Sequence, residues 1–216
     1  MPVATEGSSA GTDPYRAAVA AIDRANADDP VKMQVDGVER PKEIVHADVV
    51  ERWVRRLEPD PTPEQILAAR AHHLRRWVGP RTDYPEGRAG YLRWRAEHKR
   101  RQAAEVTDIL RSCGCTEDSI ERVASLVAKK GLGRDPQVQT HEDALCLAFL
   151  ELQLDELAAQ LGRDHMISVI RKTAAKMSPE GLAAAADVPL SVRGGELLRA
   201  ALAPDDAGAG RAGASE

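Results

Sequence analysis

Aromatic residues are nearly missing from this chain, with three Trp, three Tyr and one Phe in 216 residues. A core must therefore be built from Leu, Ala, Val and Ile. Cysteine is scarcer still. Cys113, Cys115 and Cys146 form an odd set, and Cys-Gly-Cys is a poor metal clip on its own, so reduced thiols are expected and a disulfide scaffold is excluded. No run of eighteen apolar residues occurs, and the opening MPVATEGSSAGTDP has no apolar signal core, so a cytoplasmic protein with no membrane partner is expected. Positive charge is not in excess either. A net charge of −4 excludes a generic basic nucleic-acid coat. There is no P-loop, dinucleotide fingerprint, zinc-ribbon spacing, Gly-x-Ser-x-Gly elbow or internal repeat.

What the chain does have is concentrated. Between Arg70 and Arg101 lie ten basic residues and three acidic ones, a local charge of +7, which leaves −11 for the rest. Four of the seven aromatics (Trp77, Tyr84, Tyr91 and Trp94) and three of the six histidines (His72, His73 and His98) share this stretch. Guanidinium forks beside aromatic rings suit a phosphate-bearing small molecule such as a nucleotide. Arg70, Arg81, Tyr84, Arg88, Tyr91, Arg95 and Lys130 are the candidate anion-binding residues. RNA or an acidic protein is the alternative occupant, and a solvated basic face paired with acids is the structural reading of the same residues.

Periodicity and caps predict an all-α, single-domain bundle of eight or nine helices over 13–202, between disordered tails at 1–12 and 203–216. Asp13 caps a first helix that ends near Asn26. VKMQVDGVERP carries the one hairpin signal, Asp-Gly between alternating Val residues. A second helix starts at Pro41. Thr62 and Gln65 form a capping box for a third, expected to continue to about Val78. On that helix Ile66, Arg70, His73 and Trp77 share one side, with His72 about 100° away. A long helix spans Glu86 to Ser112, another follows Thr116, and Thr140 is the expected N-cap of the most apolar helix, to Leu161. Helices over Asp164–Met177, after Ser178, and over Val192–Leu202 complete the bundle.

The polar residues that could carry chemistry come in the order His46, His72-His73, His98, Glu142-Asp143. Helical metal-dependent phosphohydrolases of the HD type have a His, then a His-Asp pair, then a lone Asp, and the layout here is similar, although the pair reads His-His. Imidazole and carboxylate together suit Mn, Fe, Co or Ni activating water. This makes His46, His72, His73 and Asp143 candidate metal ligands, with His73 and Asp143 the candidate catalytic pair. Three functions follow: an enzyme acting on an anionic, phosphate-bearing substrate by metal-assisted hydrolysis; an iron-dependent oxygenase in a helical site; or a non-catalytic nucleotide-, anion- or RNA-binding protein.

The strings IDRANADDPVKMQVDGVERPKE, AARAHHLRRWVGPRTDYPEGRAGYLRWR, KKGLGRDPQVQTHEDALCLAFLE and RKTAAKMSP resemble the family called domain of unknown function 4202, over about Tyr15 to Leu202. His73, Arg70, Arg81, Tyr84, Arg88, Tyr91, Arg95, Lys130 and Asp143 match its pattern. The chain departs from it at His46 (a Tyr in the family), at His72 (Gln), at His98 and at Gln102 (His). The resemblance therefore favours His73 and Asp143 over His46 and His98 as site residues.

Overall fold

The computed structural model describes residues 13–203; the expected tails, Ala203 apart, lie outside the described residues. The described chain has nine α-helices and one two-stranded sheet, and it divides into two compact units, up to His141 and from Glu142. The all-α expectation holds. No helix among the described residues is long and apolar enough to cross a membrane.

In the first unit, Asp13 caps α1 (Pro14–Ala27) by accepting from the Tyr15 N–H. The hairpin is real: β1 (Lys32–Val35) pairs antiparallel with β2 (Val38–Pro41). Asp36 and Gly37 both take positive φ, 51° and 79°, as a tight two-residue turn requires. Then come α2 (Lys42–Leu57), α3 (Pro63–Ala71), α4 (Gly87–Ser112), α5 (Glu117–Val127) and α6 (Pro136–Leu161). The core here is built of small and branched aliphatics: Ala18 and Ile22 of α1, Leu67, Ala68 and Ala71 of α3, Val106 and Leu110 of α4, and Ile120, Val123 and Leu126 of α5. The scarcity of aromatics is met in this way.

Besides the helix expected over Asp164–Met177, which ends at Ala174, two helix limits differ from the expectation. The third helix stops at Ala71 rather than Val78. Its capping box is as expected, with Thr62 accepting from Gln65 N–H and the Gln65 side chain accepting from Thr62 N–H. The stop comes from outside the segment. Fully buried Asn26 donates from Nδ2 to the Arg70 carbonyl and accepts at Oδ1 from Arg75 N–H. These are backbone groups that a continuing helix would pair internally. Gln102 of α4 completes the break by donating to the carbonyls of Ala71 and His72. Arg75 then adopts a left-handed φ of 46°.

The most apolar helix begins earlier than expected. Asp135 accepts from the N–H groups of Gln137 and Val138, so α6 starts at Pro136 and Thr140 lies inside it. A proline at the first helical position needs no N–H partner, and the aspartate before it supplies the cap. Glu142 and Asp143 are therefore not in a first turn.

The second unit consists of the remainder of α6, α7 (Arg163–Ala174), α8 (Pro179–Ala184) and α9 (Val192–Leu202), with α7 packed on α9. Ser178 and Ser191 cap α8 and α9 through their hydroxyls. Leu150, Ile170, Met177, Leu182 and Leu198 line a small apolar crevice that contains no ionisable side chain.

Candidate metal centre

The hairpin and α2 place the first two side chains. Buried Asp29 accepts from Val31 N–H through Oδ1 and from Glu43 N–H through Oδ2, and so ties the hairpin entrance to the first turn of α2. Glu43 and His46 are three residues apart, hence on one face of the helix. Both are buried, at 5% and 6% exposure, although neither is apolar. The break after α3 places the rest. Released from helical geometry, His72 and His73 turn the same way instead of about 100° apart. The His73 ring stacks on His46 with centroids 3.8 Å apart, and His72 lies 5.0 Å from His73. His141, on the last turn of α6 within the first unit, meets His72 edge-on at 5.2 Å. Four of the six histidines thus form a row, His46–His73–His72–His141, with Glu43 at one end.

Glu43, His46 and His73 each offer a ligand atom, and these atoms lie within 4.8 Å of one another. His73 Nδ1 is 3.1 Å from Glu43 Oε2, and its Nε2 is approached by Arg76 Nη1. Arginine can only donate, so Nε2 is the acceptor and Nδ1 carries the proton that it gives to Glu43. One proton therefore lies where a cation could lie. Two donors at right angles about a metal, each at about 2.1 Å, are separated by about 3.0 Å. The 3.1 Å gap has the length of such an edge.

Burial sets the protonation of these groups. Burial pushes His46 down to about 3, with Arg76 and Lys42 adding to the effect. His141 is likewise pushed down to about 3, by burial and then by Lys129 and His46. His72 and His73 also lie well below the ordinary imidazole range, chiefly through burial. All four are neutral at pH 7, and on His73 the single proton sits on Nδ1, facing Glu43. Glu43 is raised to about 7 by burial, against the pull of Arg76.

A family model described as "Domain of unknown function (DUF4202)" matches residues 16–198. The chain belongs to the DUF4202 family. No curated protein matches it, and no solved structure matches it.

Among the expected site residues of this DUF4202 chain, His46, His72 and His73 come together. Asp143 is placed in the second unit, where it accepts from Ser178 N–H at 2.9 Å and from Ser178 Oγ at 2.6 Å, and so buttresses the cap of α8. A Cβ on Gly181 would come within 2.6 Å of the Asp143 carboxyl carbon, so that approach depends on glycine. Arg70 is buried in an ion-pair network. Its Nε donates to Asp23 at 2.8 Å, Nη1 to Glu51 at 2.6 Å and Nη2 to Asp48 at 3.1 Å. Arg81 donates to the carbonyls of Tyr84 and Gly87, and the Tyr84 hydroxyl donates to Glu97 at 2.7 Å. Arg88, Tyr91, Arg95 and Lys130 are exposed, with the Arg95 guanidinium over the Tyr91 ring. His98 packs beside Trp94 and accepts from Arg101 at 3.2 Å.

Glu43 and His141 were not among the residues expected from sequence. Glu43 had a signal: Glu-x-x-His puts a carboxylate and an imidazole on one helical face. His141 had only its position, three residues before a continuous apolar run.

Proposed function

We propose that this DUF4202 protein is a metal-dependent enzyme that hydrolyses a small phosphate-bearing substrate, with Glu43, His46 and His73 holding a divalent transition ion. The observation that carries this reading is the convergence of one carboxylate and two neutral imidazoles in a buried cluster whose ligand atoms lie within 4.8 Å. Such an ion supplies an activated water and polarises a phosphoryl oxygen. The protein's own groups do the remainder. Glu43, which accepts the His73 Nδ1 proton in the metal-free arrangement, would contribute its negative charge. In the metal-free arrangement Arg76 donates to Nε2 and fixes the tautomer with the proton on Nδ1, so holding an ion there would require that proton to pass to Nε2 and the Arg76 contact to give way. Arg76, Lys42 and Lys129 act on the histidines as nearby cations and provide a field that suits an anionic substrate. The analogy behind hydrolysis is the HD-type layout of a His followed by a His-Asp pair and a later Asp, of which this chain has His46 and His72-His73, with His-His in place of His-Asp and with Asp143 bonded to Ser178.

A second reading has its own support. Two histidines and one carboxylate are also the donor set of iron enzymes that activate oxygen. Chelator-treated protein, assayed for phosphate release from a panel of nucleotides and sugar phosphates, separates the two. Hydrolysis predicts release only after Mn, Co or Ni is restored. It also predicts a loss of about 100-fold or more in His73→Ala, beyond the ~10–100-fold typical of outer-sphere changes. Oxygen uptake by the iron-loaded protein without phosphate release would favour the oxygenase. Anion binding that is indifferent to every metal would leave a non-catalytic binding protein.

A further inference from the structure

Beside the Glu43–His46–His73 cluster lies a second pair that the reading above leaves unused. His141 is 1% exposed, and among the described residues neither of its ring nitrogens has a hydrogen-bond partner. His72 Nδ1 is also buried and unpartnered. A neutral imidazole brings one N–H and one lone pair, and leaving both unused in a dry site is costly. Three such nitrogens on two touching rings call for a ligand small enough to fit between side chains.

The ring spacing, which is also that of an ordinary edge contact, fits a metal ion. Two imidazoles bound to one ion place their centres about 3.2 Å from it, and at a tetrahedral angle those centres are about 5.2 Å apart. The His72 and His141 centroids are 5.2 Å apart, at 71° between planes. His72 in turn lies 5.0 Å from His73, a ligand of the first cluster. We infer that His72 and His141 hold a second divalent ion, so that the centre is dinuclear, with Glu43, His46 and His73 on one ion and His72 and His141 on the other.

This inference rests on the metal reading of the first cluster and extends it. The second site has no carboxylate in its donor pair, and Lys129 and Arg76 act on its rings as cations. Borderline ions that favour imidazole, such as Co or Ni, suit it best. The repulsion also makes it the weaker site, and an anion shared by both ions would offset that repulsion. A substrate phosphate oxygen is such an anion, and two ions clamping one phosphoryl group is an arrangement suited to hydrolysis.

The test is a Co titration of the chelator-treated full chain, followed by calorimetry and by elemental analysis after desalting, with and without inorganic phosphate. The expected result is two ions per chain, one tight and one weak, with phosphate tightening the weak one about tenfold. His141→Gln and His72→Gln, checked for native circular dichroism, should each retain one tight ion and lose the phosphate-sensitive one. A wild type that saturates at one ion overturns the dinuclear centre and leaves the first cluster standing. A wild type that binds no ion overturns the metal reading itself. Two ions retained in both variants would place the second ion elsewhere and overturn the assignment.

Discussion

At the scale of single residues, the unusual fact is how much ionisable chemistry is buried without an apolar excuse. The signs of the shifts make a pH prediction. His46 and His141 titrate near 3 when folded and near 6.5 when unfolded. Between those values the unfolded chain binds more protons, so stability falls as pH drops through that window. His72 and His73 act in the same sense. Glu43 acts oppositely, since its folded value is about 7 and its ordinary value 4.5. Its contribution is full below 4.5 and is lost as pH rises through 7. Four histidines outweigh one carboxyl, so the chelator-treated protein should be most stable near pH 6 to 7 and weaken steadily toward pH 3. Urea denaturation across that range checks this. Glu43→Gln should remove the decline toward pH 7 and leave the acid limb. Arg70 is a residue-scale case of a different kind. It binds three carboxylates at 10% side-chain exposure, so Arg70→Met should cost about 3 kcal/mol in unfolding free energy while metal content stays unchanged.

At the scale of elements, the decisive event is the end of α3. One carboxamide, Asn26, takes a carbonyl and an N–H that the helix would otherwise pair, and Gln102 takes two more carbonyls. Asn26→Ala removes both partners at once. Each orphaned group costs about 1–3 kcal/mol, so a loss of about 2–6 kcal/mol is expected by denaturant titration, together with weaker metal binding as His72 and His73 lose their placement. Circular dichroism should show equal or higher helix content in that variant, because the native break is what it removes. This also shows where sequence reasoning succeeds. Caps at Asp13, Thr62, Thr116 and Ser178 are local, and local polar–backbone pairing is written in neighbouring residues. The stop after Ala71 is written 45 residues away in α1 and 31 residues away in α4. A helical wheel drawn through 66–77 therefore groups Arg70 with His73, when Arg70 faces carboxylates and His73 faces Glu43 and His46. The start of α6 was misplaced for a related reason: Asp135-Pro136 is as good a cap as Thr140, and apolar density draws attention to the later one.

At the scale of the whole molecule, the cationic block singled out from composition has two roles. Arg70 and Arg81 are structural, while Arg76 reaches the histidine row. The α4 face bearing Arg88, Tyr91 and Arg95 is open to solvent, and its first turns seat closely on the preceding loop only because Gly90 has no Cβ to strike the Pro85 carbonyl. The block contributes His72 and His73 to the histidine cluster, while Glu43, His46 and His141 come from outside it. The account therefore stands or falls on whether Glu43, His46 and His73 hold a metal ion. The direct measurement is elemental analysis of protein purified without chelator, alongside Glu43→Gln and His46→Ala. The account predicts at least one equivalent of Mn, Fe, Co, Ni or another first-row ion per wild-type chain, with a sharp fall in both variants despite native circular dichroism. A well-folded wild-type chain with no bound metal, and none taken up on reconstitution, would contradict it.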